Sequence, residues 1–305
     1  MAWRSVMIQN PAALNLSKGQ LRLRNDDGEH MLPVEDITAL VLESPQITLS
    51  STLLSFCQEQ GVAVVTCDKT HTPNGVLLPF QPHSRQSRVA HIQISASDSL
   101  KNRLWQRVVQ AKIENQAVCL ETAKGKEAAK RLYALASHVK AGDPNNVEAQ
   151  AARDYWPRLM GGDFRRGGNN IVNAALNYGY AVIRAFVARS QVAYGLLPAF
   201  GIHHKNELNA FNLTDDMMEV FRPFVDHVVY GMKEEATLPQ DENGLSVSIR
   251  QSLANTGNIL CGIDGQTHTI ANACDKMAMG LVNAIEKKSP ALLLLPSFDN
   301  RTLKK

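Results

Sequence analysis

The sequence predicts an α+β protein in which a small N-terminal β-rich domain precedes a larger, all-α-helical domain. Period-two alternation of polar and apolar residues marks the first 80 residues, and apolar spacings of three and four take over after about residue 98. Between them runs Pro79-Phe80-Gln81-Pro82-His83-Ser84-Arg85-Gln86-Ser87-Arg88, polar and proline-punctuated. The expected division is residues 1–80 for the β-rich domain, 81–98 for a linker and 99–305 for the helical domain.

In chain order, Gln20-Leu21-Arg22-Leu23-Arg24 alternates, Asp26-Asp27-Gly28 signals a turn, and His30-Met31-Leu32-Pro33 returns, which predicts a hairpin with one buried face. Apolar runs at 37–42 and 62–67 read as strands flanking a short helix over 50–60. Further on, Leu104, Val108, Ala111 and Lys112 begin an amphipathic stripe, with Lys101, Arg103 and Arg107 elsewhere on the wheel, and Ala128, Leu132, Leu135 and Val139 form another. Helical spacing continues through 147–159, 171–194, 215–232 and 270–287.

With 44% hydrophobic and 20% charged residues, the 305-residue chain carries enough apolar material for a sizeable core, which excludes a disordered chain. The longest uninterrupted apolar run, 291–296, is far short of a membrane span, so no transmembrane helix and no membrane partner are expected. The first residues lack the apolar core and cleavage site of a secretory signal, and a cytoplasmic location is the expectation. Five cysteines, at 57, 67, 119, 261 and 274, contain no C-x-x-C pair, so reduced and mostly buried thiols are expected rather than a disulfide framework or zinc knuckle.

The net charge of +3 hides a strong asymmetry: residues 1–83 carry −3, residues 84–190 carry +9 and residues 191–305 carry −3. A basic block on one surface would attract a polyanion with salt-dependent affinity, whereas the same residues spread over solvated helix faces would not.

Four segments could carry chemistry. In Asn145-Asn146-Val147-Glu148-Ala149-Gln150-Ala151-Ala152-Arg153, the preceding Asp143 and Pro144 with the Asn pair supply a helix start. Glu148 then shares a small, apolar face with Ala151, Ala152 and Tyr155. It is either a first-turn Glu favoured by the helix dipole or a carboxylate that needs a cation or donors. Leu197-Pro198-Ala199-Phe200-Gly201-Ile202-His203-His204 delivers two adjacent imidazoles after a Gly turn, and since neighbouring side chains point apart, at most one should face a given site. In Thr214-Asp215-Asp216-Met217-Met218-Glu219-Val220-Phe221-Arg222-Pro223, Met217, Phe221, Phe224, Val225 and Val228 form the core stripe. Asp215, Glu219, Arg222 and Asp226 fall on the opposite side, where the acids repel unless something positive lies over them. Thr214 as a cap explains the Asp pair better than it explains Glu219. The glycine-flanked pair Arg165-Arg166, in Gly161-Gly162-Asp163-Phe164-Arg165-Arg166-Gly167-Gly168, suits phosphate oxygens or is a plain interhelix loop, and matches neither nucleotide-binding fingerprint.

Taken together, these segments resemble the integrase-nuclease family of CRISPR adaptation, CRISPR-associated protein one. Glu148, His204 and Glu219 stand in the family's order, separated by 56 and 15 residues, within Val-Glu-Ala-Gln-Ala-Ala-Arg, Pro-Ala-Phe-Gly-Ile-His-His and Asp-Met-Met-Glu-Val-Phe-Arg-Pro. The resemblance covers essentially the whole chain, and the Gly-Ile-His-His and Asn209-Ala210-Phe211-Asn212-Leu213 details are similar to the type II branch that accompanies the single-protein Cas nine effector.

That resemblance implies a metal-dependent DNA endonuclease and integrase that joins prespacer 3′-OH ends to CRISPR repeat DNA by transesterification during spacer acquisition. It implies Mg²⁺ or Mn²⁺ held by Glu148, His204 and Glu219 as the catalytic set, with Asp216 supporting and the basic segment 84–190 holding the DNA backbone; within that segment Arg165 and Arg166 are the candidate DNA contacts. His204, ending the Gly-x-x-His turn, is preferred to His203. It also implies double-stranded DNA, CRISPR-associated protein two and the type II effector machinery as partners, and a homodimer formed through the β domain. Two alternatives remain: a non-catalytic DNA-binding scaffold, and a general structure-specific nuclease acting on branched DNA.

Overall fold

The structure, a computed structural model, describes residues 4–80, 83–238 and 244–298. The N-terminal part runs β1 (Arg4–Ile8), β2 (Ala13–Ser17), β3 (Gln20–Asn25), β4 (Gly28–Pro33), β5 (Ile37–Leu42), β6 (Thr48–Leu49), α1 (Ser51–Glu59), β7 (Ala63–Cys67) and β8 (Pro73–Leu77). Among the described residues these strands form two four-stranded sheets, ordered β1-β5-β7-β8 and β4-β3-β2-β6. The expected hairpin is β3–β4, paired antiparallel from Gln20–Pro33 to Asn25–Gly28, and the expected helix is α1, capped by Ser50.

The burial of β5 explains its composition. All six of its residues are buried, because the sheet is covered on both faces. Leu40 and Leu42 face the second sheet, packing with Leu14, Leu21 and Leu53, whereas Val41 meets Val65 and Ala185 of the helical part.

That part comprises α2 (Gln86–Ile94), α3 (Asp98–Lys124), α4 (Lys126–His138), α5 (Val147–Met160), α6 (Ile171–Ala193), α7 (Asn212–Met218), a 3₁₀ turn (Glu219–Phe221), α8 (Arg222–Glu234), α9 (Val247–Ala254), β9 (Leu260–Ile263), β10 (Gln266–Thr269) and α10 (Ile270–Glu286). It is predominantly helical, as expected, with one exception to all-α: β9 and β10 form an antiparallel ribbon. Several bonds tie it to the N-terminal part, three of them at partly or fully buried positions. Arg189 Nε donates to the Gly61 carbonyl at 2.6 Å, Ser5 Oγ donates to the Ala254 carbonyl at 3.0 Å, and Arg250 pairs with the buried Glu43.

Two sequence expectations are corrected. The 81–98 linker is not an irregular segment: Gln81 and Pro82 lie outside the described residues, but Gln86–Ile94 is helical and α3 begins at Asp98. The buried Gln93 fixes α2, donating to the carbonyls of Leu197 at 2.9 Å and Phe200 at 2.8 Å and accepting the Leu197 N–H at 2.9 Å. Secondly, the helix expected over 215–232 is interrupted. Pro223 has no N–H to give the Glu219 carbonyl, so Arg222 N–H closes a 3₁₀ turn there instead. Among the described residues, α6 is long and apolar enough to span a membrane by length and composition, but it is built into the core. Asn173, Asn177 and Arg184 interrupt its apolar run, and 67% of the stretch is buried in the protein core. A Cβ on its Gly179 would stand 2.5 Å from Val225 Cγ1, so glycine lets α6 and α8 approach closely. All five cysteines are free and four are buried, as expected.

Candidate active site

The site is built from α3, α5, the α7–α8 junction and the turn before α7. Asp143 sets its first acid: Oδ1 accepts the Val147 N–H at 2.8 Å and Oδ2 the Glu148 N–H at 3.0 Å. Asn146, left-handed at φ 51°, caps the same helix by accepting the Ala149 N–H at 3.3 Å. Glu148 therefore leaves the first turn of α5 on the face that carries the buried Ala151 and Tyr155.

The cation that this face requires is Lys112 of α3. Its Nζ lies 2.5 Å from Glu148 Oε1 and equally 2.5 Å from Glu219 Oε2, while Arg222 Nε lies 2.9 Å from Glu219 Oε1. Two carboxylates share one ammonium. Burial alone would raise the Glu219 pKa, but the charges of Lys112 and Arg222 outweigh it and the net shift is downward. Burial alone would lower that of Lys112, and Glu219 with Glu148 reverse the sign. Both groups are thus held charged. Glu219 Oε2 meets the ammonium at 2.5 Å, a charge-assisted contact that helps hold the carboxylate ionised.

Asp216, fully buried, builds the turn that presents His204. Its Oδ2 accepts the N–H groups of Ile202 at 2.7 Å and His203 at 2.9 Å, and its Oδ1 accepts the His204 N–H at 3.1 Å. His204 Nδ1 lies 2.6 Å from the same Oδ1, which fixes Nδ1–H toward Asp216 and turns Nε2 outward with its lone pair. That hydrogen bond raises the His204 pKa, whereas burial lowers that of His203. The two rings do not point apart: they stand edge to face at 5.2 Å, and both lie against Trp105. His203 is the one stacked flat, 4.2 Å between centroids and 4° between planes.

The polar side of the 215–232 segment is no solvent face. Asp215 takes Arg184 Nε at 2.7 Å and Asn209 Nδ2 at 2.7 Å. Asp226 is buried between the hydroxyls of Tyr155, at 3.0 Å, and Tyr180. Every acid of the segment thus has donors contributed by other parts of the fold.

A pocket of about 450 Å³ opens beside these groups, lined by His204, Glu219, Arg222, Tyr180, Arg184 and Arg166. Arg166 reaches it by donating to Asn173 Oδ1 at 2.8 Å and Asn177 Oδ1 at 2.6 Å. Arg165 instead closes on its own loop, donating to the carbonyls of Gly162 and Phe164. The structure therefore joins Glu148 to Glu219 through Lys112 and sets His204 on the same pocket wall as Glu219. Among the described residues, no three His, Cys, Asp or Glu side chains converge closely enough to hold one ion.

The sequence profile of the family "CRISPR associated protein Cas1" matches residues 6–247. The chain belongs to the Cas1 family. A relative named CRISPR-associated endonuclease Cas1, from Neisseria meningitidis serogroup C (strain 8013), is 40% identical over 298 residues, 98% of this chain and 97% of the relative. Two solved structures share the fold. A casposase bound to integration product superposes with a TM-score of 0.76 at 17% identity, covering 93% of this chain and 91% of the casposase. A Cas6-RT-Cas1–Cas2 complex gives 0.72 at 19% identity, with 94% of this chain and 35% of that one covered. The family match spans most of the chain, and the Neisseria relative that matches nearly its whole length is named an endonuclease.

Several site-building residues of this Cas1-family chain carry no conspicuous motif. Lys112 had one sequence signal, a lysine placed in the apolar stripe of Leu104 and Val108, where a cation has no place unless acids meet it. Asp143 was visible as part of a helix start. Gln93 and Tyr180 had none, because their partners lie far away in sequence.

Proposed function

We propose that the chain is a metal-dependent DNA integrase and endonuclease of CRISPR adaptation, which joins prespacer 3′-OH ends to repeat DNA by transesterification. The observation that carries this reading is the pair Glu148 and Glu219 drawn to one cationic centre beside a His204 whose Nε2 is free. Two carboxylates and an imidazole suit Mg²⁺ or Mn²⁺. Glu148 Oε1 and Glu219 Oε2 are at most 5.0 Å apart, twice the 2.5 Å distance of each from Lys112 Nζ. The two oxygens are thus near enough for one small divalent cation to be shared between them.

Glu148 and Glu219, which already meet at one cation, would hold the ion, with His204 of the same pocket wall drawn in as the third ligand and oriented by Asp216. A bound ion would supply charge stabilisation to the phosphodiester and to the attacking and leaving oxygens. The chain's own work is positioning: Arg166 and Arg222, both against the Tyr180 ring, offer guanidinium groups to phosphate oxygens in the same pocket. Water in place of the 3′-hydroxyl gives hydrolysis through the same groups. The names of the casposase and Cas1–Cas2 structures support integration chemistry and a Cas2 partner, and the Gly-Ile-His-His sequence supports the type II branch. Residues 1–80 are proposed as the dimerisation domain.

The test is strand joining of a prespacer duplex into repeat DNA with Mg²⁺. Glu148→Ala and His204→Ala proteins, shown by circular dichroism to be folded, are expected to lose it. Joining at the wild-type rate would overturn the assignment and favour a scaffold.

A further inference from the structure

We propose that Lys112 is a built-in competitor of the divalent ion: its ammonium occupies the place between Glu148 and Glu219 and leaves it when the ion enters. The inference rests on the metal reading above and concerns a residue to which that reading gives no role in holding the ion or in catalysis.

The geometry leads to it directly. Nζ stands 2.5 Å from one oxygen of each acid, and only 11% of the Lys112 side chain is exposed. Without a positive charge at that point, two carboxylates would face each other in a poorly solvated place. The site therefore needs a cation at all times, and Lys112 supplies it from within the chain. A +2 ion at the same two oxygens meets the +1 ammonium at close range, and the two repel. Arg222 is no part of this exchange. It lies on the other oxygen of Glu219, 2.9 Å away, and stays paired when Lys112 moves. Metal entry is thus an exchange of charge at an occupied point, and it opposes its own affinity by the work of displacing the ammonium.

The test is Mn²⁺ binding to the DNA-free protein, read from the electron paramagnetic resonance signal of free Mn²⁺ and from the rise in Tm that Mn²⁺ causes. Lys112→Met, close in length and uncharged, is expected to bind Mn²⁺ about tenfold more tightly than wild type, as removal of a nearby like charge requires. Its Tm should start lower and rise further with Mn²⁺. Lys112→Gln, which can still donate to one acid, serves if Lys112→Met does not fold and should change in the same direction. Equal or weaker Mn²⁺ binding by the folded variant overturns the competitor role. Glu148→Gln separates the two readings. If it weakens Mn²⁺ binding while the Lys112 variant gains nothing, only the competitor role falls. If Glu148→Gln leaves Mn²⁺ binding unchanged, the ion binds elsewhere and both readings fall.

Discussion

One oxygen of Asp216 receives both the imidazole Nδ1 of His204, at 2.6 Å, and the backbone N–H of His204, at 3.1 Å. The side chain and main chain of one residue are thus fixed by a single atom, itself held on a helix one turn before Glu219. The arrangement leaves no room at Gly201, where a Cβ would stand 2.7 Å from Asp216 Oδ2 and collide with the His204 carbonyl. Gly201→Ala is expected to cost about 1–3 kcal/mol, the usual price of overpacking, and to reduce strand joining while leaving the overall fold intact. Urea unfolding and the integration assay check the two parts separately.

Pro223→Ala tests the break in the helix. Restoring an N–H at position 223 allows an α-helical bond to the Glu219 carbonyl, so the 3₁₀ turn can relax into a continuous helix and shift the Glu219 carboxylate relative to Lys112. The protein should remain as stable as wild type or become slightly more so. Joining should fall on the order of 100-fold, as for a misplaced reacting group. Unchanged joining would show that the 3₁₀ turn does not set the position of Glu219.

Arg165 and Arg166 are neighbours in sequence with different orientations, so they should differ in their effect on DNA. Arg166 faces the pocket, whereas Arg165 donates to its own loop. Arg166→Ala is expected to lower the slope of log affinity against log salt by about 1, one phosphate contact's worth. Arg165→Ala should leave that slope unchanged. Fluorescence anisotropy across a salt series measures both.

The hairpin at 20–33 was legible because alternation and turn chemistry are local, and the requirement of Glu148 for a cation was legible because its helix face is. Which cation was not: Lys112 lies 36 residues earlier on another helix and meets Glu148 only after α3 and α5 pack. The break at Glu219 was written in Pro223, but periodicity alone runs through a proline, since the apolar stripe continues on both sides of it. The acids at 215, 219 and 226 looked like one repulsive face because their partners, Arg184, Lys112 and two tyrosines, come from helices remote in sequence. β9–β10 carries only four residues per strand and a polar second strand, too little for a period to emerge.

Asp226 gives the fold a pH dependence of its own. Burial raises its carboxyl from 3.8 to about 7, against the opposing hydrogen bonds from Tyr180 and Tyr155. A carboxyl raised on folding binds its proton more tightly in the folded chain, so its contribution is fully present below pH 3.8 and is lost as pH rises to about 7. The shift corresponds to a loss on the order of 4 kcal/mol across that window. Asp226→Asn keeps the shape and carries no charge at any pH. Urea unfolding at pH 5 and pH 8 should show the wild type losing stability over this interval and the variant losing much less, with the variant the more stable of the two at pH 8. Parallel losses in the two proteins would mean that Asp226 is ionised throughout, with Arg222 rather than a proton balancing its charge.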